Sequence, residues 1–144
     1  MAYVECKIWP YSISLYDYVI RGKVMKEGRI PHYTTKALID TSSCKNFIRK
    51  SVVDKLGIKY NIPPKDSPFY DPNVLGFTNL ELSFQYKGED SLVWGSDDTV
   101  FGVVEDPKAD LVFGLQWLWL REAKIDILKG GIRIYGNFVP FVKK

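Results

Sequence analysis

The stretch "ALIDTSSCKNFIRKSVVDKLGI", Ala37 to Ile58, decides how this chain is read. Three apolar residues, Ala37, Leu38 and Ile39, run straight into Asp40 and then into three hydroxyl residues, Thr41, Ser42 and Ser43. A continuously apolar strand end predicts burial on both faces. A carboxylate placed there carries a desolvation cost unless hydrogen bonds satisfy it, and the hydroxyls and N–H groups that follow are placed to supply them. On the residues alone, a turn or capping role for Asp40 stands ahead of catalysis. If two such aspartates approach, however, like charge and burial split their titration and one proton is shared. Further along, Ser51 reads as the cap of a short helix over "VVDKL", with Val52, Val53 and Leu56 inward and Gly57 at its C′ position.

Outward from this stretch the pattern is mostly strand. Ser12 to Met25 is rich in β-branched and aromatic residues and leads to a turn at Lys26-Glu27-Gly28, and Tyr33 to Ile39 is the next strand. From Asn61 to Asn73, four prolines with Asp66, Ser67 and Asp71 predict a long irregular loop, and such loops in small domains are usually functional or disordered. Strands resume at Val74–Gly76 and at "LELSFQY", where Leu80, Leu82 and Phe84 alternate with Glu81, Ser83 and Gln85. A hairpin turn at Lys87–Asp90 and strands over "SLVWG" and "TVFGVVE" follow. Leu111-Val112-Phe113-Gly114 reads as a buried strand, "LQWLWLRE" carries Leu115, Leu118 and, on the adjoining side, Trp119 near helical spacing, and the Trp117 and Trp119 pair reads as core rather than as a ligand platform. Ile125, Ile127, Ile132 and Ile134 flank the Gly130-Gly131 turn of a last hairpin, and Pro140 marks the tail "NFVPFVKK" as an edge strand.

Length and composition set bounds. The chain of 144 residues suits a single domain over 1–144, and 46% hydrophobic with 15% aromatic residues is enough to bury a core. A net charge of +3 is too small for a nucleic-acid footprint, so nucleic acid is not an expected partner. No apolar run reaches membrane-spanning length and the N-terminal stretch lacks a signal-peptide core. A cytoplasmic or nuclear location without a membrane partner is therefore expected. Two cysteines and one histidine are too few for a structural zinc site, and no metal or cofactor is expected. With His32 the single histidine and no glycine-rich phosphate loop, a Ser-His-Asp triad and a nucleotide site are both disfavoured.

Two segments together resemble a known family. "ALIDTSSCKNFIRKSVVDKLGI" is similar to the active-site segment of retropepsins, the aspartic peptidases of retroviruses and gypsy-type retrotransposons: Leu38, Ile39, Asp40, Thr41, Asn46, Phe47 and Ile48 match in order and spacing. "DLVFGLQWLWLREAKIDIL" resembles the family's downstream signature through Asp110, Leu111, Val112, Gly114, Trp117, Leu118, Ile125 and Asp126. The resemblance implies a mainly β fold, a single-lobe closed β-barrel of the acid protease type with one or two short helices. It implies an aspartic endopeptidase that works as a homodimer, each subunit giving Asp40 to a shared site, with an extended peptide or polyprotein as substrate. Thr41, Ser42 and Ser43 would support the active-site loop, with the strand Leu111, Val112, Phe113 and Gly114 beneath it. The interval between the motifs corresponds to the family's flap, so Phe69, Tyr70 and Gly76 are candidates for flap or pocket contacts. A surface loop pinned by one aromatic is the equal alternative for them.

The departure from the pattern is Ser42, where the family carries glycine. Either the site needs a backbone conformation unfavourable to serine and the loop shifts, or the conformation is ordinary and the hydroxyl adds a hydrogen bond to Asp40. The alternative function follows from it: a catalytically silent retropepsin-like domain acting as a dimerisation or peptide-binding module.

Overall fold

The computed structural model describes residues 2–10, 33–86, 89–93 and 100–143. The strand and turn expected over Ser12–Gly28, His32, and the turn residues Lys87 and Gly88 lie outside the described residues, as do 94–99. Among the described residues the chain forms strands β1 (Ala2–Pro10), β2 (Tyr33–Ile39) and β3 (Asn46–Arg49), then helix α1 (Lys50–Leu56). Strands β4 (Gly76–Thr78), β5 (Leu80–Tyr86), β6 (Glu89–Val93), β7 (Phe101–Val104) and β8 (Leu111–Phe113) follow. Helix α2 (Leu115–Leu120) precedes β9 (Lys124–Asp126), β10 (Gly131–Ile134) and β11 (Asn137–Val142).

The strands pair in the order β4-β7-β3-β8-β2-β1-β11-β10-β9, with β5 branching off to join β1 and β6. Along this path β4 and β9 are the outermost strands among the described residues. At its centre β2 lies antiparallel to β1 and parallel to β8, with Leu38 opposite Val112 and Ile39 opposite Phe113. This double flanking explains the unbroken apolar run before Asp40. Ala37 and Ile39 enter the main core, while Leu38 turns to the other face and packs with Tyr3, Ala109 and Val112.

The main core is aromatic at its middle. Phe113 stacks on Trp117 with ring centroids 4.0 Å apart and meets Phe101 edge-on at 6.0 Å. That stack sets the phase of α2, because it draws Trp117 inward against the last residue of β8. Trp117 and Leu118 are buried, whereas Leu115 is 44% and Trp119 79% exposed, so of the two tryptophans expected in the core only Trp117 enters it.

Several boundaries also differ. Helix α1 begins at Lys50 with extended Arg49 at its N-cap and no side-chain cap, so Ser51 lies inside the first turn. The reason is that β3 runs directly into α1, and the Arg49 side chain is committed elsewhere, as described below. Val52 and Val53 are buried, and Gly57 ends the helix in the left-handed conformation at φ 66°. The strand after the proline-rich loop starts at Gly76 rather than Val74. Leu80, Leu82 and Phe84 are buried as the alternation predicts, but Ser83 is buried as well.

At the C-terminal end, Ile132 and Ile134 are buried while Ile125 and Ile127 are exposed. Strand β11 is not an edge: it pairs with β10 over residues 137–140 and with β1 at Phe141 and Val142. The Phe141 N–H donates to Gly130, so alternation turns the Pro140 nitrogen toward the other neighbour, whose pairing begins one residue later. No helix among the described residues is long and apolar enough to cross a membrane.

Candidate active site

Asp40 leaves β2 with its N–H donating to the Phe113 carbonyl at 2.9 Å, which ties the first residue of the loop to β8. Its side chain is 12% exposed and both oxygens are engaged. The Ser42 N–H and hydroxyl donate to Oδ1 at 3.0 and 2.5 Å, and the Lys108 ammonium meets Oδ2 at 3.1 Å. The Ser42 hydroxyl, and then Lys108 and the Ser42 N–H, hold the Asp40 carboxyl below the usual carboxylate range despite an opposing push from burial. Ser42 has no left-handed backbone: among the described residues only Glu122 and Tyr135 combine a side chain with positive φ. The serine therefore sits in an ordinary conformation and its hydroxyl is an added bond to the carboxylate.

Beneath this loop, β8 ends at Gly114, which touches the loop backbone directly. A Cβ at Gly114 would overlap the Lys45 carbonyl oxygen and come within 2.8 Å of the Ser43 oxygen. Its φ of −95° is open to any residue, so closeness and not conformation requires glycine here. The Gly114 N–H donates to Asn46 Oδ1 at 2.9 Å, and the next two N–H groups, of Leu115 and Gln116, donate to the Ser43 and Cys44 carbonyls at 2.8 and 3.1 Å. Asn46 is fully buried and also donates through Nδ2 to the Val100 carbonyl at 3.4 Å. The Ser43 hydroxyl donates to the Lys45 carbonyl at 2.9 Å, closing the loop on itself. The loop that carries Asp40 is thus bolted to the start of α2.

Lys108 reaches Asp40 from the segment between β7 and β8, and Arg49 braces that segment. Arg49 Nη1 pairs with Asp106 at 2.7 Å, Nε with Asp110 at 2.9 Å, Nη2 donates to the Pro107 carbonyl at 3.3 Å, and the Arg49 N–H donates to the Asp110 carbonyl at 2.9 Å. Asp110 also accepts from the Tyr33 and Thr35 hydroxyls at 2.8 and 3.3 Å. Burial pushes the Asp110 carboxyl up, but the Tyr33 and Arg49 bonds outweigh it and leave it below its ordinary value.

A cavity of about 570 Å³ opens beside Asp40, lined by Ser42, Ser43, Phe47, Val104, Lys108 and Val112 and, from the proline-rich loop, by Asp71, Asn73 and Val74. Asp71 faces Lys45 at 3.8 Å. It is the trailing end of that loop, rather than Phe69, Tyr70 or Gly76, that the structure brings to Asp40. Phe69 is 75% exposed at the loop's outer turn, and Gly76 is buried in β4, where a Cβ would overlap the Tyr60 ring. On the loop's other side, Thr41 and Cys44 join Leu115, Leu118, Trp119 and Ile125 around a mostly apolar groove of about 730 Å³.

The chemistry available is that of a carboxylate with a fixed orientation at a cleft. No group of three or more His, Cys, Asp or Glu side chains able to hold a metal ion occurs among the described residues. Sequence reasoning missed Lys108, Asp106 and Arg49: the first two lie in the charged run "EDPKAD" before the second motif, and Arg49 lies in the first segment with nothing local to mark it.

No protein-family model matches the sequence, and no curated protein matches it. Among solved structures, the chain is similar to the retroviral protease-like domain of Ddi1 from Leishmania major, at 18% identity and a TM-score of 0.63. That likeness covers 99% of this chain and 91% of the other, and at this identity it is a likeness of fold. The chain has a retropepsin-like fold, with Asp40 at the loop where its two central parallel strands end.

Proposed function

We propose that this chain is one half of an aspartic endopeptidase, in which two copies bring their Asp40 carboxylates together over an extended peptide. The observation that carries the reading is the placement of Asp40 on a loop tied to β8 and α2, at the mouth of a cavity and beside exposed Thr41. Two approaching carboxylates repel, so the second Asp40 pushes one of the pair up until a single proton is shared. The ionised member takes a proton from water as the water oxygen bonds to the peptide carbonyl carbon. The protonated member hydrogen-bonds the carbonyl oxygen, and a proton then passes to the amide nitrogen as the C–N bond breaks. Thr41 supports the paired loops, and the apolar groove running from Thr41 to Trp119 gives the second copy a surface to cover.

Cleavage of an unstructured peptide at mildly acidic pH is the expected activity, and Asp40→Asn is expected to abolish it. Equal turnover by both forms refutes the reading. Solution scattering is expected to give a dimer mass, and a strict monomer at the assay concentration removes the two-carboxylate site. A silent binding module is the second reading, favoured by the occupation of both Asp40 oxygens within one chain. Ser42→Gly separates the two: activity created where the parent has none supports the silent module, and robust activity in both forms eliminates it.

A further inference from the structure

We infer that Lys108 is a specificity-determining residue of this site, selecting peptides that carry an acidic side chain beside the bond held at Asp40. The inference rests on the reading of Asp40 as the carboxylate at which a peptide docks.

Four charged residues line the cavity beside Asp40: Asp40 itself, Asp71, Asp106 and Lys108. Lys108 is the single cation among them. The other two carboxylates already face cations from outside the lining, Asp106 with Arg49 at 2.7 Å and Asp71 with Lys45 at 3.8 Å. Asp110, next along the braced segment, is held by Arg49 and two hydroxyls. Glu5, which lines a neighbouring cavity with Lys108, stands opposite Lys36 across β1 and β2. Asp40 is therefore the carboxylate that Lys108 serves in the single chain.

Paired Asp40 carboxylates that share a proton and hold water no longer have an oxygen to spare for Lys108. The ammonium is 61% exposed, on a flexible four-carbon stem. Its backbone stays where Arg49 fixes it, at the wall of the cleft. The displaced cation then faces the peptide, and the group that matches it is a carboxylate. An uncharged side chain in the same place leaves Lys108 exchanging Asp40 for water alone.

The test uses the full chain as Asp40→Asn, which leaves the cleft intact and cannot cut. Fluorescein-labelled extended peptides that differ only by Glu against Gln beside a central apolar pair are titrated by anisotropy at pH 6. The Glu peptide is expected to bind about threefold to tenfold more tightly, as for a partly exposed charged pair. That preference is expected to shrink as salt rises. Adding Lys108→Met is expected to equalise the two peptides, and Lys108→Arg to retain the preference. Equal affinities in the Asp40→Asn chain, a preference that survives Lys108→Met, or binding of neither peptide overturns the inference. Parallel incubation with the unaltered chain keeps the two claims apart. Cleavage of both peptides at equal rates overturns the role of Lys108 and leaves the peptidase standing. A Lys108-dependent preference without any cleavage overturns the peptidase and leaves the role of Lys108 standing.

Discussion

Gly114→Ala tests the frame that holds the loop carrying Asp40. The added methyl would overlap the Lys45 carbonyl oxygen and lie 2.8 Å from both the Lys45 carbonyl carbon and the Ser43 oxygen. These neighbours are backbone, so relief comes only by moving the loop and the start of α2 apart by roughly an ångström to reach ordinary contact. That movement stretches the Leu115 and Gln116 bonds to Ser43 and Cys44, now 2.8 and 3.1 Å, toward or past the hydrogen-bonding limit. Overpacking of this kind costs about 1–3 kcal/mol, and each weakened bond about 0.5–1.5 kcal/mol. Replacing glycine also narrows the unfolded ensemble, which returns about 0.4–1 kcal/mol. The net expectation is a loss of about 2–4 kcal/mol, or about 5–15 °C in Tm at this chain length. Urea denaturation followed by Trp fluorescence, with an unchanged m-value, measures it. Gly57→Ala is the control: its surroundings are empty, and it is strained only by φ 66°, so about 1 kcal/mol is expected. A Gly114→Ala chain as stable as the parent, or more stable, refutes the close approach of Gly114 to the loop.

Arg49→Met removes the brace from Asp106, Pro107 and Asp110 and is expected to cost about 1–3 kcal/mol, since the Arg49–Asp110 pair is only a quarter exposed. Asp110 has its folded pKa lowered, so its stabilisation is present above the ordinary carboxylate value near pH 4 and lost as pH falls through the folded value. Arg49→Met should accordingly flatten the acid side of the curve of denaturation midpoint against pH, and an unchanged curve contradicts the pairing. Cys6 is buried, which pushes its thiol far up, while Cys44 is exposed. Thiol titration should therefore count one reactive cysteine per native chain and two after unfolding, and two in the native chain would refute the burial of Cys6.

What could be read in advance was whatever a local pattern encodes. The unbroken apolar end of β2 and the run at β8 declared double-sided burial, and Gly57 declared the end of α1. The phase of α2 was not legible, because three apolar faces compete in "LQWLWL" and the stack of Phe113 on Trp117 decides among them. Pro140 misled for a related reason: one proline is compatible with an internal strand where pairing passes from one neighbour to the next. The site divides in the same way. Asp40 and Ser42 are two residues apart, so their contact is a local fact that the sequence could suggest. Arg49 meets Asp110 across 61 positions and Lys108 meets Asp40 across 68, and such pairs exist only once β2, β3, β7 and β8 have come together.

Ser42 and Lys108 both favour an ionised Asp40, yet they differ in what they permit. A hydroxyl donates to a carboxylate and, after rotating, accepts from a protonated carboxyl, so Ser42 supports either state of a shared-proton pair. An ammonium has no acceptor, and Lys108 supports only the ionised state. Bringing two Asp40 residues together, as the proposed function requires, therefore works against Lys108 and not against Ser42. The sign follows: a cation beside the pair draws its titration downward, so the singly protonated form occupies a lower pH range while Lys108 is present. In the proposed enzyme, Lys108→Met should move the whole pH–activity profile upward, and Ser42→Gly should move it less. Profiles recorded in one buffer series for the parent and both variants decide the matter. A larger shift from Ser42→Gly than from Lys108→Met would mean that the hydroxyl stays locked as a donor, and that Ser42, not the lysine, is what restrains this site.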